Sequence, residues 1–158
     1  MPKTLTLSID SYTVAIDTFA QNGYERPRAD TGQTEYSIWG TPLDSGTFFE
    51  PKFIWTIQCY LSKEDWIKLN VIFSLSDKRR RLQQNYRITV HDYIEEIIED
   101  GTRTRAIAPG GSVNSVGNSI YYPARFYARM FEPKFTLQAG LKPYLTTFTL
   151  KELDKFNA

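Results

Sequence analysis

Alternation of polar and apolar residues predicts strands along most of this chain. In Thr4–Ile9 the apolar residues occupy every second position, and Tyr12–Ile16 repeats the pattern after a polar break. Lys52–Leu61 carries the clearest alternation, with large apolar side chains on one face. A period of two is typical of a strand that buries one face. Further strands are predicted at Tyr86–Val90, Ile120–Phe131, Phe135–Leu137 and Tyr144–Leu150.

One segment changes to helical spacing. Ser62 is a favoured N-cap residue, and Glu64 and Asp65 follow it in the first turn, where the helix dipole favours carboxylates. The apolar residues after them recur at helical intervals: Trp66, Leu69, Ile72, Phe73 and Leu75. We expect a helix over 62–75, with the basic run 78–81 just past its end.

A second pattern predicts a long hairpin. Asp100-Gly101 is a strong two-residue turn signal, and a type I′ closure there sets Glu96 opposite Arg105 and Ile94 opposite Ile107. We therefore expect a projecting hairpin over 94–107. The alternation before it breaks near Asp92-Tyr93, which indicates a bulge or a change of face.

Two stretches have loop composition. The segment 20–47 is rich in Gly and Pro, and only Glu35–Trp39 is a candidate strand within it. The segment 108–119 is rich in Gly, Ser and Asn. Long loops in a compact domain often belong to interaction surfaces, so both are candidates for contacts that order on assembly. The whole chain, 1–158, is predicted to be one domain.

The pentapeptide Phe-Glu-Pro-Lys-Phe occurs twice, at 49–53 and at 131–135. Each copy opens a predicted strand, and proline is tolerated only at a strand entrance, an edge or a bulge. The repeat indicates two similar strand edges related by pseudo-symmetry, or two unrelated strand starts.

The order of strands, one helix and more strands predicts a mainly β (α+β) fold. We expect an antiparallel β-barrel or sandwich with the central helix packed against it.

Composition narrows the function classes. The chain has 158 residues, a net charge of +1 and 15% aromatic residues, so no global field attracts nucleic acid or an anionic membrane. A polar N-terminus and the absence of a long apolar stretch lead us to expect a soluble protein made in the cytoplasm. The single cysteine, Cys59, lies in a predicted core strand and is expected to be a buried, inert thiol.

Residues with catalytic chemistry are sparse. His91-Asp92 is the one histidine next to a carboxylate, without a nucleophile motif or metal-ligand spacing. The acidic run consists of Glu95, Glu96, Glu99 and Asp100. It serves either as a carboxylate pair of a small hydrolase or, more plausibly, as a hairpin that pairs with Arg103 and Arg105. We expect no enzyme activity, no cofactor and no metal.

Two groups of cations carry the remaining hypotheses. The run Lys78, Arg79, Arg80 and Arg81 suits a helix C-terminus, a phosphate site or an acidic patch of a neighbouring subunit. Arg125 and Arg129, with Tyr121 and Tyr127, form a strand face that would stack single-stranded bases. The balanced net charge disfavours nucleic-acid binding as the main role, so it stands as the alternative function.

The small, aromatic-rich layout, with its helix at 62–75, hairpin at 94–107 and loop at 109–119, resembles the β-barrel-plus-helix building block of phage tail proteins. That group comprises tail tube, distal tail, baseplate hub and tail completion proteins. The resemblance implies a virion tail subunit, assembled in the host cytoplasm, that forms rings, often six-fold, with identical subunits and neighbouring tail proteins. It implies no small-molecule substrate and no membrane partner, and a transient DNA contact for residues that line a lumen.

A ring of this kind needs two different complementary patches on each subunit. The candidate interface residues lie in the basic run and the predicted hairpin: Lys78, Arg79, Arg80, Arg81, Glu95, Glu96, Glu99, Arg103 and Arg105.

Overall fold

The computed structural model describes residues 3–28, 33–45, 52–136 and 144–153. Eleven strands and one helix lie within them. They are β1 (Leu5–Ile9), β2 (Tyr12–Ile16), β3 (Phe19–Glu25), β4 (Gln33–Tyr36), β5 (Pro42–Ser45), β6 (Ile54–Leu61), α1 (Lys63–Arg81), β7 (Ile88–Asp100), β8 (Asn114–Val116), β9 (Ser119–Met130), β10 (Lys134–Thr136) and β11 (Tyr144–Glu152).

One antiparallel sheet forms the body of the protein. Its strand order is β2-β1-β7-β9-β11-β6-β3, with β8 beside β9 and β10 beside β11. The sheet curls into a half-barrel, and α1 packs against it. This arrangement confirms the predicted fold class. β4 and β5 pair only with each other among the described strands, as a separate two-stranded hairpin.

The core fills the concave side of the half-barrel. The inward positions of the strands alternate with outward ones, and Leu69 and Ile72 of α1 are fully buried against them. Trp55, Phe126 and Phe148 are the largest apolar side chains that the sheet contributes. The predicted buried face of β6, including the inert Cys59, is confirmed, because Trp55, Ile57 and Cys59 have no exposed surface.

The helix is longer than the apolar spacing predicted. Ser62 caps it by accepting a hydrogen bond from the Asp65 backbone N–H at 3.2 Å, as expected. The helix continues through Arg81, so the basic run forms its last turn and does not lie past its end. Lys and Arg are good helix formers and cations suit the carbonyl end of the dipole, which explains the extension.

The predicted hairpin register over 94–107 is wrong. β7 runs on to Asp100, and Glu99 and Asp100 pair with Ile120 and Ser119 of β9. A type I′ turn needs positive φ at both central residues, and of Asp100 and Gly101 only Gly101 has it. Glu96 therefore does not face Arg105, and Ile94 does not face Ile107. Instead, Ile107 bridges to Ala124 of β9.

The break in alternation at Asp92-Tyr93 is confirmed as an irregularity of β7. Asp92 pairs with Ala124 and Ile97 with Tyr122, so β7 has three more residues between these two pairs than β9 has. The 106–108 segment lies beside β9 at this point, where the Arg125 N–H donates to the Ala106 carbonyl at 2.9 Å. The outward bulge of β7 thus leaves room for a returning segment on β9.

Both predicted long loops contain strands. β3 and the β4–β5 hairpin lie within 20–47, and β8 lies within 108–119. β3 escaped prediction because its polar sequence lacks clear alternation. Gly117, with φ of 60°, sits in the tight turn between β8 and β9, where a left-handed residue is required.

The two pentapeptide copies flank the same strand. The second copy spans an irregularity between β9 and β10. Met130 pairs with Leu150 and Lys134 with Thr147, so four residue steps from β9 to β10 lie opposite three steps on β11. Pro133 lies within this irregularity, as its missing N–H requires. In the first copy, positions 49–51 lie outside the described residues. Phe53 precedes β6, which pairs with β11 on its other side.

Candidate functional site

The basic run at the end of α1 is largely neutralised by local partners. Arg79 forms an ion pair with Asp10 in the β1–β2 turn, and Arg80 and Arg81 pair with Asp77 at 3.1 Å and 3.0 Å. The hydrogen bond from Arg80 lowers the pKa of Asp77, helped by Arg81. These contacts join the helix end to the edge of the sheet, and Lys78 lies at the end of a groove described below.

The predicted acidic and basic hairpin residues do not form one surface patch. Glu95, Glu96 and Arg103 are exposed. Glu99 points inward, where it accepts hydrogen bonds from the Tyr122 hydroxyl at 2.9 Å and from Thr104. Arg105 is only 4% exposed. Glu99 and Arg105 are therefore part of the interior of the subunit, and their assignment to a subunit interface stays a prediction.

Two buried ion pairs stand side by side inside the half-barrel. Arg26 pairs with Asp92 at 3.0 Å, and Arg105 makes a two-pronged contact with Glu152 at 2.8 Å and 2.9 Å. Both guanidinium groups stack on the ring of Phe53, at 4.7 Å for Arg26 and 5.0 Å for Arg105. Two cations beside one ring require nearby anions. Asp92 and Glu152 supply one each, and the Glu99 carboxylate lies 3.9 Å from Arg105.

Asp92 is the most connected side chain of this cluster. Its Oδ2 accepts from the Tyr24 hydroxyl, from Arg26 at 3.0 Å and from the Trp55 indole N–H at 3.1 Å. Its Oδ1 accepts from the backbone N–H groups of residues 94 and 95 at 2.9 Å and 3.2 Å, which shapes the β7 irregularity. Burial and the nearby carboxylate raise the pKa of Tyr24, so its hydroxyl stays protonated and donates.

Sequence reasoning missed this cluster, although a signal was present. Asp92 continues the inward series of Ile88 and Val90, and Glu152 continues that of Phe148 and Leu150. A carboxylate at an inward position of a strand needs a buried cation, which predicts distant arginines as partners. Arg26 and Arg105 lie in irregular segments without side-chain alternation, so the sequence around them did not predict their burial.

The geometry separates the residues of the hydrolase hypothesis. His91 and Asp92 are neighbours on a strand, so His91 points to the outer face and Asp92 to the core. Glu99 is occupied by internal hydrogen bonds. It borders a cavity of about 180 Å³ together with Phe53, Thr104 and Arg105. Within the described ranges, no group of three or more His, Cys, Asp or Glu side chains is placed to hold a metal.

The outer face of the sheet is basic and aromatic. Lys151 of β11 pairs in register with Arg129 of β9. Arg129 and Lys151 both lie over the ring of Phe131, at 4.6 Å and 5.2 Å, and Arg87 lies over Tyr127 at 5.7 Å. The outward positions of 89–91, 125–129 and 147–151 carry no carboxylate. The predicted cationic face around Arg125 and Arg129 is thus assembled by the sheet.

The β4–β5 hairpin presents large apolar side chains to solvent. We call residues Tyr36, Ile38 and Trp39 the hairpin tip; they are 70%, 93% and 87% exposed. The turn is well formed, with the Gly40 N–H donating to the Ser37 carbonyl and the Ser37 N–H to the Thr41 carbonyl, each at 2.9 Å. Single exposed apolar residues are common, but a clustered tryptophan and isoleucine on a projecting turn mark an interaction surface.

A groove of about 450 Å³ lies between α1 and the edge strand β2. Tyr12 forms its β2 side, Trp66 and Val71 form its helix side, and Ile67 is 51% exposed at its rim. Phe135 stacks on Trp66 with ring centroids 4.7 Å apart. The groove is therefore aromatic and largely apolar, and we call it the α1–β2 groove.

Comparison with known proteins gives no family for this chain. No protein-family model matches it, and no curated protein is significantly similar in sequence. In the part of the chain that the structure describes, no helix has both the length and the apolar character needed to span a bilayer.

The buried cluster generates a stability prediction. Replacing Asp92→Asn removes the anion that balances Arg26. It also turns one oxygen of residue 92, which accepts hydrogen bonds, into an amide group that can only donate them. We expect a loss of about 3 kcal/mol in the free energy of unfolding, since a buried charge is left without its partner. Chemical denaturation followed by tryptophan fluorescence measures it. Glu95→Gln is the matched control, because Glu95 is half exposed and 3.8 Å from Arg26; it should cost less than about 1 kcal/mol.

The environment of His91 predicts a pH effect. Burial first, and the Arg125 charge second, lower the pKa of His91 below its ordinary 6.5. The unfolded chain therefore binds the proton more readily, and stability falls as the pH drops from about 7 to about 5. His91→Gln should flatten this decline, measured as denaturation midpoints at several pH values. Equal slopes for both proteins would contradict the predicted role of His91.

Proposed function

We propose that this chain is a structural subunit that assembles into rings with copies of itself, in the manner of phage tail or tail-like particles. The observation that carries the proposal is the hairpin tip. An isolated two-stranded hairpin is marginally stable in water, and this one displays a tryptophan and an isoleucine that are almost fully exposed. A partner surface that covers the tip would both stabilise the hairpin and remove these two side chains from water.

The base of the hairpin supports such a role. Arg28 bridges to Phe53, and the Ile54 N–H donates to the Pro27 carbonyl at 3.0 Å, so the chain leaves and re-enters the body at one fixed point. Phe53 is itself held between the buried arginines. Binding residues are often carried on segments that leave a packed scaffold, because the scaffold sets the position of the contact.

The open sheet adds a second reason. β2 and β3 are its two edge strands, and each offers unpaired backbone groups. Assembly into a ring covers such edges with neighbouring subunits. The proposal therefore extends to identical subunits and adjoining tail layers as partners, to six-fold rings as the expected symmetry, and to a virion as the location.

The hairpin tip generates an assembly prediction. Trp39→Ala should weaken self-association about tenfold or more, because a central buried tryptophan is the residue type that most often dominates an interface. Light scattering over a concentration series, with negative-stain images of the same samples, measures the loss of rings or oligomers.

Val116→Ala is the matched control, since Val116 is also exposed, at 68%, but lies on the β8–β9 turn. It should leave the oligomers intact. A wild-type protein that stays monomeric at every concentration would contradict the proposed function.

A second candidate function is binding of single-stranded nucleic acid on the outer face of the sheet. The observation that favours it is the pairing of Arg129 with Lys151 beside Phe131 and Tyr127, on strands whose outward positions carry no carboxylate. Cations alternating with aromatic rings suit a phosphate backbone with stacked bases. The net charge of +1 remains an argument against it as the main role.

This candidate makes its own prediction. If the face binds single strands, the combined change Arg129→Gln and Lys151→Gln should reduce the affinity for a single-stranded oligonucleotide and lower the salt slope by roughly 0.7 for each lost phosphate contact. Fluorescence anisotropy at several salt concentrations measures both. Lys68→Gln is the control, because Lys68 lies on α1 and pairs with Glu64. No binding by the wild-type protein at low salt would exclude this candidate.

A further inference from the structure

The hairpin tip and the α1–β2 groove have complementary properties. The tip offers an indole and an aliphatic side chain, and the groove offers an apolar volume of about 450 Å³ walled by two aromatic rings. Aromatic side chains prefer offset or edge contacts with other rings, and Tyr12 and Trp66 supply them. The volume suits one large and one medium side chain, since ligand pockets of about 300–1,000 Å³ enclose most of their occupants.

Charge complementarity points in the same direction. Residues 33–45 include Glu35 and Asp44 and no Lys or Arg. The groove ends at Lys78, in the turn that also holds Arg79–Arg81. Asp10 and Asp77 pair with these arginines, so four cations and two anions leave this end of the groove with a net positive charge. An acidic hairpin that approaches a basic helix end is steered to it and is disfavoured at acidic surfaces.

The groove and the attachment of the hairpin lie at opposite ends of the strand order. The chain leaves for the hairpin at Arg28 and returns at Phe53, next to β3 and β6, the last two strands in the order, whereas the groove borders β2, the first strand. Tip and groove are two different patches, and a head-to-tail contact between such patches of two copies closes into a ring when the rotation between subunits permits it.

We propose that the Ile38 and Trp39 side chains of one copy insert into the α1–β2 groove of the next copy. The inference rests on the proposed function and adds the acceptor surface to it. Docking at the groove also covers the exposed edge of β2 with the incoming hairpin. Each subunit then donates one tip and accepts one.

Complementation between two defective variants tests this pairing. Trp39→Ala has a defective tip and an intact groove, whereas Ile67→Glu has an intact tip and a groove blocked by a carboxylate. Each alone should self-associate about tenfold more weakly or worse. An equimolar mixture should form dimers, because one intact contact remains between the two variants, and light scattering detects the doubled mass. Ile98→Glu is the matched control, on a residue 78% exposed elsewhere.

The outcomes separate the two proposals. If Trp39→Ala dissociates the oligomer while Ile67→Glu assembles like the wild type, the tip drives assembly but the groove does not receive it, and this inference is overturned. If the wild type itself does not assemble, the proposed function and the inference fail together. Weak singles and a dimeric mixture support both.

Site-directed cross-linking gives an independent readout. Ile38→Cys and Ser74→Cys place thiols on the tip and in the groove, and a bis-maleimide should join them between chains when the two variants are mixed. The natural Cys59 is buried, and burial raises the pKa of its thiol to about 12, so it stays unreactive. In the double variant at high dilution, a cross-link within one chain would place the tip in its own groove and overturn the proposal.

Discussion

Two arginines share one aromatic ring in the interior of this protein, and each is neutralised by its own carboxylate. Arg26 and Arg105 both stack on Phe53, with Asp92 and Glu152 as their partners. A buried ion pair contributes little net stability, but an unmatched buried charge is very costly. The chain segments that carry these four residues must therefore all be in place together. This requirement positions the irregular segments around Arg26 and Arg105, which lie outside the strands.

The points at which the chain leaves and rejoins the sheet on either side of the β4–β5 hairpin follow from that requirement. Phe53 lies at the start of β6 and bridges to Arg28, the residue at which the chain departs toward β4. Glu152 accepts a hydrogen bond from the Phe53 N–H at 3.2 Å, and the Glu152 N–H donates to the Phe53 carbonyl at 2.9 Å. Arg28 and Phe53, where the chain leaves for the β4–β5 hairpin and where it returns, are thus joined to the buried charges by direct contacts. These contacts fix the two points of the sheet between which the hairpin segment runs.

The parts of the fold that were predictable are those in which side-chain period alone determines the structure. β1, β2, β6, β9 and β11 have apolar residues at every second position, and α1 shows its cap and its helical spacing. β3 was not predictable, because its structure depends on partners distant in sequence. The β4–β5 hairpin was predicted only as a candidate strand over Glu35–Trp39, because its short strands lack clear alternation. Tyr24 is held by Asp92, which lies 68 residues away. The Asp100-Gly101 signal was misleading for the same reason: a local turn preference of modest strength lost to the longer pairing of β7 with β9.

The candidate surfaces changed for a related reason. Local sequence grouped the charges of 95–105 on one hairpin, whereas the fold turns Glu99 and Arg105 inward and leaves the exposed residues unconnected. Two groups of exposed apolar side chains stand out among the described residues, the hairpin tip and the α1–β2 groove, whereas Leu82, Ile98 and Val116 are exposed outside them. Among the described strands, β2 and β3 form the two edges of the half-barrel, and the hairpin tip and the α1–β2 groove are two different exposed surfaces. In the proposed assembly, a neighbouring copy covers each of these different surfaces. A head-to-tail ring gives every tip a groove on the next subunit. A two-fold dimer does the same when each tip inserts into the groove of the other copy, so the choice between ring and dimer depends on the rotation that relates the two subunits.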